Sequence, residues 1–284
     1  MLRIVPEEVK VPLRHQYMLG AISPRPIAFV STIDAGGNPN LSPYSFFNAV
    51  GSNPPTVIFS PALSGRDAKT KDTLLNIRET GEAVINIVSY SMVQQMSLAS
   101  SPYERGVNEF EKSGFTALAS EIVRPFRVAE SKVQMECIVQ DIIETGTQGA
   151  AGNIVIAEIV LMHIDESVLD ENGRIDPYKM DYVARMGGNY YTRVIPESIF
   201  ELVQPKDTCG LGVDQLPEQI RLSKRLTGNH LGALGNFLTH PTPAEVADML
   251  SAHPEWTDPA DKETLAISLL ENNQAWEAFC ILVA

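Results

Sequence analysis

The chain has 284 residues, 44% hydrophobic and 20% charged, which excludes a disordered chain and a coiled coil while leaving room for one large domain or two ordinary ones. Its 35 acidic and 22 basic side chains give a net charge of −13, which opposes binding to nucleic acid or to an anionic membrane surface. The longest charge-free stretch, Ala35 to Gly65, is interrupted by Pro39, Pro43, Pro54, Pro55 and Pro61, so it cannot span a membrane.

Met1 to Lys10 carries Arg3, Glu7, Glu8 and Lys10 with no apolar stretch behind them; no secretory signal is expected, and the protein is expected in the cytoplasm. Cys137, Cys209 and Cys280 are odd in number and far apart, which fits reduced, mostly buried thiols better than disulfides or a zinc site. From Ile27 to Ile164 the pattern is one of short strands with turn signals between them. Ile27–Ile33 is β-branched and apolar, Asp34-Ala-Gly-Gly-Asn38 supplies a tight reversal, and Asn40 to Ser45 returns as the second strand of a hairpin. Thr56 to Ser60 and Ala83 to Val88 are further short apolar runs. Ser91-Met-Val-Gln94 and Ser101-Pro-Tyr-Glu104 both fit a capping box and predict helix starts. Val133, Met135, Cys137 and Val139 alternate with polar residues, as in a half-buried strand. After a glycine-rich turn at Gly146 to Asn153, the run Ile154 to Ile164 is apolar on both faces, which places it in the centre of a sheet or at a subunit contact. Strands at this spacing favour a closed or partly closed barrel.

After Ile195 the character turns helical. Thr242-Pro-Ala-Glu245 and Asp258-Pro-Ala-Asp261 read as helix starts, with Val246, Met249 and Leu250, then Leu265, Leu269 and Leu270, at helical spacing. Residues 195–284 carry 5 basic and 13 acidic side chains, a charge of −8, against −5 for the first 194. A solvated helical surface accounts for this better than an acidic binding face.

Two segments could carry chemistry. Gly65 to Ile77 brings Arg66, Lys69 and Lys71 to the start of a short helix with Thr70 or Asp72 as its cap, a donor set suited to a phosphate monoester. A capped surface helix with solvated lysines is the competing reading. Asn40 to Asn48 is neutral and rich in hydroxyls and aromatics directly after a strand, which suits the edge and face of a flat heteroaromatic ring; a core strand kinked at Pro43 is the competing reading. Together they propose an aromatic ligand bearing a phosphate. His15, His163, His230, His240 and His253 show no metal spacing, and His163 reads as a satisfied buried imidazole. Gly210-Leu-Gly212 lacks the third glycine and preceding strand of a dinucleotide fingerprint, and no Walker-type loop or nucleophile elbow occurs. Glu144, Glu158, Asp165 and Glu166 have no specific pair spacing and read as solvated charges.

Arg25-Pro-Ile-Ala-Phe-Val-Ser-Thr32, Asn40-Leu-Ser-Pro-Tyr-Ser-Phe-Phe47, Pro54-Pro55, Lys71-Asp-Thr-Leu-Leu-Asn76, Gly81-Glu82, Asn86 and Arg185-Met-Gly-Gly-Asn-Tyr-Tyr191 follow one another in an order that resembles the flavin reductase-like FMN-binding split barrels of the flavoredoxin and nitrilotriacetate monooxygenase reductase type. The resemblance covers about the first two-thirds of the chain. It implies a mainly β, six-stranded Greek-key split barrel over residues 1–195 with a helical extension over 196–284, usually a homodimer with FMN near the subunit boundary. Carried over residue by residue, it implies that Ser42, Tyr44, Ser45 and Phe46 line the isoalloxazine, with Thr32 and Asn48 near its edge or the ribityl chain. It also implies that Lys71 and Thr73, with Arg66 and Ser60, hold the phosphate, and that Arg185, Gly187 and Gly188 approach the ring, a surface turn being the competitor for that last stretch. Asp72 is then a helix cap or a partner for Lys71. The activity implied is that of an NAD(P)H:flavin oxidoreductase passing hydride from NADH or NADPH through flavin N5 to a second acceptor such as a monooxygenase partner, with no protein catalytic residue required. The alternative is an FMN-binding electron carrier that serves a protein partner without oxidising nicotinamide.

Overall fold

β-Branched and apolar residues carry the chain through β1 (Ala28–Ile33), whose six residues are all buried. Asp34 closes the following reversal by accepting from the Asn38 N–H at 2.8 Å through its carboxylate, and β2 (Pro39–Tyr44) returns antiparallel with Thr32 opposite Asn40. The chain then breaks at Ser45 and Phe46 before β3 (Phe47–Ser52) and β4 (Pro55–Phe59). Ahead of β1 lies α1 (Val11–Ala21), for which the sequence reading has no element; none of its residues is buried. After β4 come α2 (Asp72–Thr80), β5 (Glu82–Ile87), α3 (Val93–Ala99) and α4 (Glu109–Ser113). The short pair β6 (Ala117–Leu118) and β7 (Arg127–Val128) precedes two long strands, β8 (Val133–Glu144) and β9 (Asn153–Ile164), and the hairpin β10 (Val183–Arg185) and β11 (Tyr191–Arg193). This computed structural model describes residues 1–202, 208–257 and 261–284, which divide into two compact units, Met1–Phe200 and Glu201–Ala284.

In the first unit the main sheet runs β2-β1-β5-β8-β9-β4-β3. Its two outermost strands, β2 and β3, are joined by Ser45 and Phe46 alone. Three Cα steps reach at most about 11 Å, so the edges must come together and the sheet closes on itself with no ladder between β2 and β3. The result is a split barrel. It has seven strands where the resemblance implies six, because the chain from Pro39 to Ser52 bends at the split and counts twice. Val30, Tyr44, Phe59, Ile85, Met135 and Val155 fill the interior together with Leu74 and Ile77 of α2. Phe29 and Leu41 point the other way, onto Met96, Phe110 and Phe115. Covering both faces explains why β1 is buried throughout. α2 stops at Gly81, whose φ of 70° lies in the left-handed region that glycine adopts without strain.

Four sequence expectations are corrected. No helix starts at Ser101: that segment is irregular, and α4 begins eight residues later behind Asn108, whose side chain accepts from the Phe110 N–H. α3 follows a 3-10 turn at Tyr90–Met92 and has no side-chain cap, because Ser91 sits inside that turn, with Ser89 and Ser91 hydroxyls 2.9 Å apart. The N-cap of α2 is Lys71 itself, not Thr70 or Asp72; Asp72 is the first helical residue and pairs with Arg105 at 3.4 Å. The first half of β8 is buried on both faces, since Gln134 and Glu136 are covered as well. β9 lies between β8 and β4, and its second half leaves Val160, Met162 and Ile164 exposed.

The second unit is helical. α5 (Glu218–Arg221), α6 (Gly228–Gly235), α7 (Pro243–Ala252), α8 (Lys262–Glu271) and α9 (Ala275–Val283) gather Leu216, Ile220, Leu226, Leu234 and Phe279 into one cluster and Ala266, Leu269, Ala278 and Ile281 into another. The capping box read at Thr242 and Glu245 is formed. Of the helix start read at Asp258 to Asp261, Asp258, Pro259 and Ala260 lie outside the described residues, and Asp261 caps α8 by accepting from the Thr264 N–H at 3.1 Å. Gly210 is required for close approach: a Cβ there would lie 2.5 Å from the Gly235 carbonyl oxygen.

Candidate functional site

The split between β2 and β3 opens onto a cavity of about 480 Å³. Pro43, Tyr44, Ser45 and Phe46 form one wall, Ser60 and Ala62 beyond β4 another, and Lys71 at the start of α2 stands at the edge. α1 contributes His15 and Leu19, α3 contributes Met96 with Ser100 at its C-cap, and the β10–β11 hairpin contributes Arg185 and Tyr191. Within a chain of charge −13, this lining includes Lys71 and Arg185 and no carboxylate among the described residues. Lys71 forms no ion pair among the described residues. The site therefore favours an anion.

Local structure explains each wall. Because no ladder joins β2 to β3, the Ser45 and Phe46 N–H groups have no hydrogen-bond partner among the described residues, while the Phe46 carbonyl accepts from the Ser60 N–H at 2.9 Å. Arg185 and Tyr191 face each other across the hairpin; Arg185 donates to the Tyr191 hydroxyl at 2.7 Å and to the Gly188 carbonyl at 3.0 Å. Arg25 is buried behind the site and donates to the Leu19, Ile22 and Met186 carbonyls and, at 3.5 Å, to the Ser45 hydroxyl. It ties together α1, the hairpin and the link.

Of the residues predicted from sequence, Tyr44, Ser45, Phe46, Ser60, Lys71 and Arg185 meet around the cavity. The others do not line it. Thr32 and Thr73 are buried in a polar network behind the wall, in which Asn40 donates to both hydroxyls, at 3.2 and 2.8 Å, and Asn76 donates to Thr32 at 3.2 Å. Tyr44 donates its hydroxyl to Thr73 at 2.8 Å. Burial pushes the Tyr44 pKa up to about 12, so its hydroxyl remains a neutral donor near pH 7. Ser42 is half-buried on β2, and Asn48 is exposed on β3 with its side-chain oxygen taking the Ala49 N–H. Arg66 lies with Lys69 and Thr70 around a neighbouring cavity. Gly187 packs on α1, where a Cβ would meet the Gly20 Cα at 3.1 Å, and Gly188 turns the hairpin at φ 60°.

The sequence reading missed His15, Leu19, Met96, Ser100 and Tyr191. Tyr191 had a signal, since a residue across a short hairpin from Arg185 must face it; the α1 and α3 residues had none, because only the tertiary fold brings them to the split. His163 is hydrogen-bonded as expected, its Nε2 2.7 Å from the Glu136 carboxylate, but it is half-buried and not fully buried. Glu144 pairs with Arg78 at the surface. Cys137 and Cys280 are buried free thiols, and Cys209 is exposed. Among the described residues no cluster of His, Cys, Asp and Glu could hold a metal, and no helix is long and apolar enough to cross a membrane.

Comparison with known proteins converges on one family. Residues 19–185 match the model of the flavin reductase like domain. An uncharacterized protein of Aquifex aeolicus (strain VF5) is 34% identical over 197 residues, 69% of this chain and 97% of that protein. Nitrilotriacetate monooxygenase component B from Bacillus cereus superposes with a TM-score of 0.66 at 30% identity, covering 71% of this chain and 98% of its own. The Pseudomonas fluorescens 2-nitrobenzoate 2-nitroreductase superposes with a TM-score of 0.65 at 27% identity, covering 74% and 100%.

Proposed function

Because the chain belongs to the flavin reductase-like family, a group of flavin-related oxidoreductases, we propose that the cavity at the barrel split binds FMN and that the protein is an NAD(P)H:flavin oxidoreductase. The observation that carries the reading is the lining itself. An opening of about 480 Å³ with cationic side chains, no carboxylate among the described lining residues and two unpartnered backbone N–H groups suits a flat, acceptor-rich ring bearing a phosphate.

When bound, the flavin would supply the redox chemistry, the transfer of hydride and electrons between a nicotinamide donor and a second acceptor. The chain's own groups bind and orient. The Ser45 and Phe46 N–H groups and the Ser45 hydroxyl are donors for the ring-edge acceptors, and Arg25 leaves the Ser45 proton free because it donates to that oxygen. Pro43, Phe46 and Met96 supply apolar cover, and Leu19 adds to it from α1. The Lys71 ammonium, free of any ion pair among the described residues, holds the phosphate, with Ser60 beside it. No protein acid or base is required.

The test is an absorption spectrum of the purified protein, chromatographic identification of what denaturation releases, and titration with NADH and NADPH. Bound FMN bleached by either nicotinamide is the expected result. FMN that neither one bleaches would make the protein an electron carrier, and a colourless protein that takes up no added FMN would overturn the reading. Lys71→Ala is expected to weaken FMN binding by about 2 kcal/mol, roughly a 30-fold rise in Kd; an unchanged Kd would remove Lys71 from the site.

A further inference from the structure

Arg25 and Arg185 stand directly opposite each other across an isolated antiparallel bridge, each backbone N–H donating to the other's carbonyl at 2.9 Å. Like charges placed opposite one another in a β pair repel, and a buried charge is ordinarily paired with an acid. Neither arginine has one. Among the described residues the Arg25 side chain meets the Leu19, Ile22 and Met186 carbonyls and the Ser45 hydroxyl, and the Arg185 side chain meets the Tyr191 hydroxyl and the Gly188 carbonyl. The repulsion is felt, since the Arg185 charge adds to burial in lowering the Arg25 pKa.

Only one of the two can answer a ligand. Arg25 is sealed by its carbonyl partners, whereas Arg185 is half-buried in the cavity wall. Two of its five N–H groups are spent on Tyr191 and Gly188, which leaves three. Its guanidinium carbon is held 4.7 Å from the centre of the Tyr191 ring. Leu19, Ile27, Met96 and Tyr191 line the same cavity, which has no carboxylate among its described lining residues. A fixed guanidinium fork in an apolar and aromatic cavity is the chemistry that recognises a planar carboxylate.

With Lys71 assigned to the flavin phosphate, the unbalanced charge of the arginine pair is left for a second anion. We propose that Arg185 holds the carboxylate of the second electron acceptor, which is therefore a small aromatic or unsaturated carboxylate, and that Arg25 fixes the hairpin that presents Arg185. The inference rests on the flavin site proposed above and names its substrate class. NADH or NADPH supplies the hydride and solvent the proton, and the acceptor gains two electrons and two hydrogens, so no further reactant is needed.

The experiment titrates benzoate, with benzamide as its uncharged counterpart, into the FMN-loaded full chain by flavin absorbance and into the flavin-free chain by calorimetry. Benzoate is expected to bind at least about tenfold more tightly than benzamide, the worth of one charge-assisted hydrogen bond. Arg185→Gln is expected to erase that preference while weakening FMN by no more than about threefold, against the roughly 30-fold expected of Lys71→Ala. With NADH in excess, 1,4-naphthoquinone-2-carboxylate is expected to be reduced with a KM at least about fivefold below that of its carboxamide, and Arg185→Gln to bring the two KM values together. The wild-type contrasts stand even if the variant fails to fold. Equal binding of benzoate and benzamide to a chain that still binds FMN overturns the proposal alone. It also falls if Arg185→Gln weakens FMN as much as Lys71→Ala does, the arginine then belonging to the flavin site, or if it raises only the KM for the nicotinamide, the anion then being a nicotinamide phosphate. A chain that takes up benzoate and no FMN would keep the carboxylate site and overturn the flavin reading.

Discussion

Arg25 is 5% exposed and meets carbonyl oxygens where a carboxylate would be the ordinary partner. Its Nη1 donates to the Leu19 carbonyl at 2.6 Å and to that of Ile22, and its Nη2 to the Met186 carbonyl at 3.0 Å. Burial, and then the neighbouring Arg185 charge, lower its pKa from the usual guanidinium value. A planar fork can serve three carbonyls and a hydroxyl at once, which an ammonium on a single stem cannot. Arg25→Lys is accordingly expected to cost about 2 kcal/mol of stability, the price of leaving buried acceptors unserved, and to weaken FMN binding through the displaced Ser45. Thermal melting and FMN titration would check this; a variant that melts and binds like the wild type would show that the clamp is dispensable.

Between elements, the decisive contact is the one that buries both faces of β8. Glu136 is fully buried, and its carboxylate accepts the Glu121 N–H at 2.9 Å, the Ile122 and Val123 N–H groups at 2.7 and 3.0 Å, and the His163 ring nitrogen at 2.7 Å. One side chain thus pins the segment between β6 and β7 onto the main sheet. Burial alone would raise its pKa, but the Glu121 N–H, His163 and the other two N–H groups outweigh it and hold the group at about 2 against an ordinary 4.5. A depressed carboxylate contributes stability above its unfolded pKa and loses it as pH falls through the folded one. Stability is therefore expected to decline between about pH 4.5 and 2, read by urea melts across that range. Glu136→Gln, whose amide nitrogen takes the place of an oxygen that meets two of these donors, should cost about 2 kcal/mol near neutral pH and flatten that dependence. If the wild type and the variant decline in parallel, Glu136 is not the titrating group.

At the scale of the whole chain, every residue lining the cavity lies between His15 and Tyr191, inside the first unit, while the second unit has hydrophobic clusters of its own. A chain ending at Phe200 is expected to fold and to bind FMN as the full chain does, checked by circular dichroism and flavin titration. Loss of FMN binding from a folded truncation would assign the second unit a part in the site. On β9, Val160, Met162 and Ile164 are 36 to 46% exposed, and α1 presents Leu13, Tyr17 and Met18; apolar surface of this extent is expected to be covered by a second copy of the chain. Sedimentation at micromolar concentration is expected to show a dimer for both the full chain and the truncation, and a monomer for both would refute it.

The sequence by itself determined the short strands, the hairpin at Asp34 to Asn38, the capped helix at Thr242 and the ordered blocks that mark the family, because turn chemistry, alternation and capping act over a few residues. It also marked Tyr44, Ser45, Phe46, Ser60, Lys71 and Arg185, which supply both of the cavity's lysine and arginine side chains and part of its polar lining. Local pattern failed where distant partners override it. The Ser101 capping signal lost to the Asn108 cap, and Glu136 is buried because a loop 15 residues upstream supplies its hydrogen bonds. Thr32 and Thr73 were assigned to the site by block position, yet their hydroxyls point into the Asn40 and Asn76 network. Only the tertiary structure decided that β2 and β3, two residues apart in sequence, become the two edges of one barrel. Closure is a property of all seven strands at once, and the cavity, the free N–H groups at the split and the adjoining second cavity exist only after the sheet has closed.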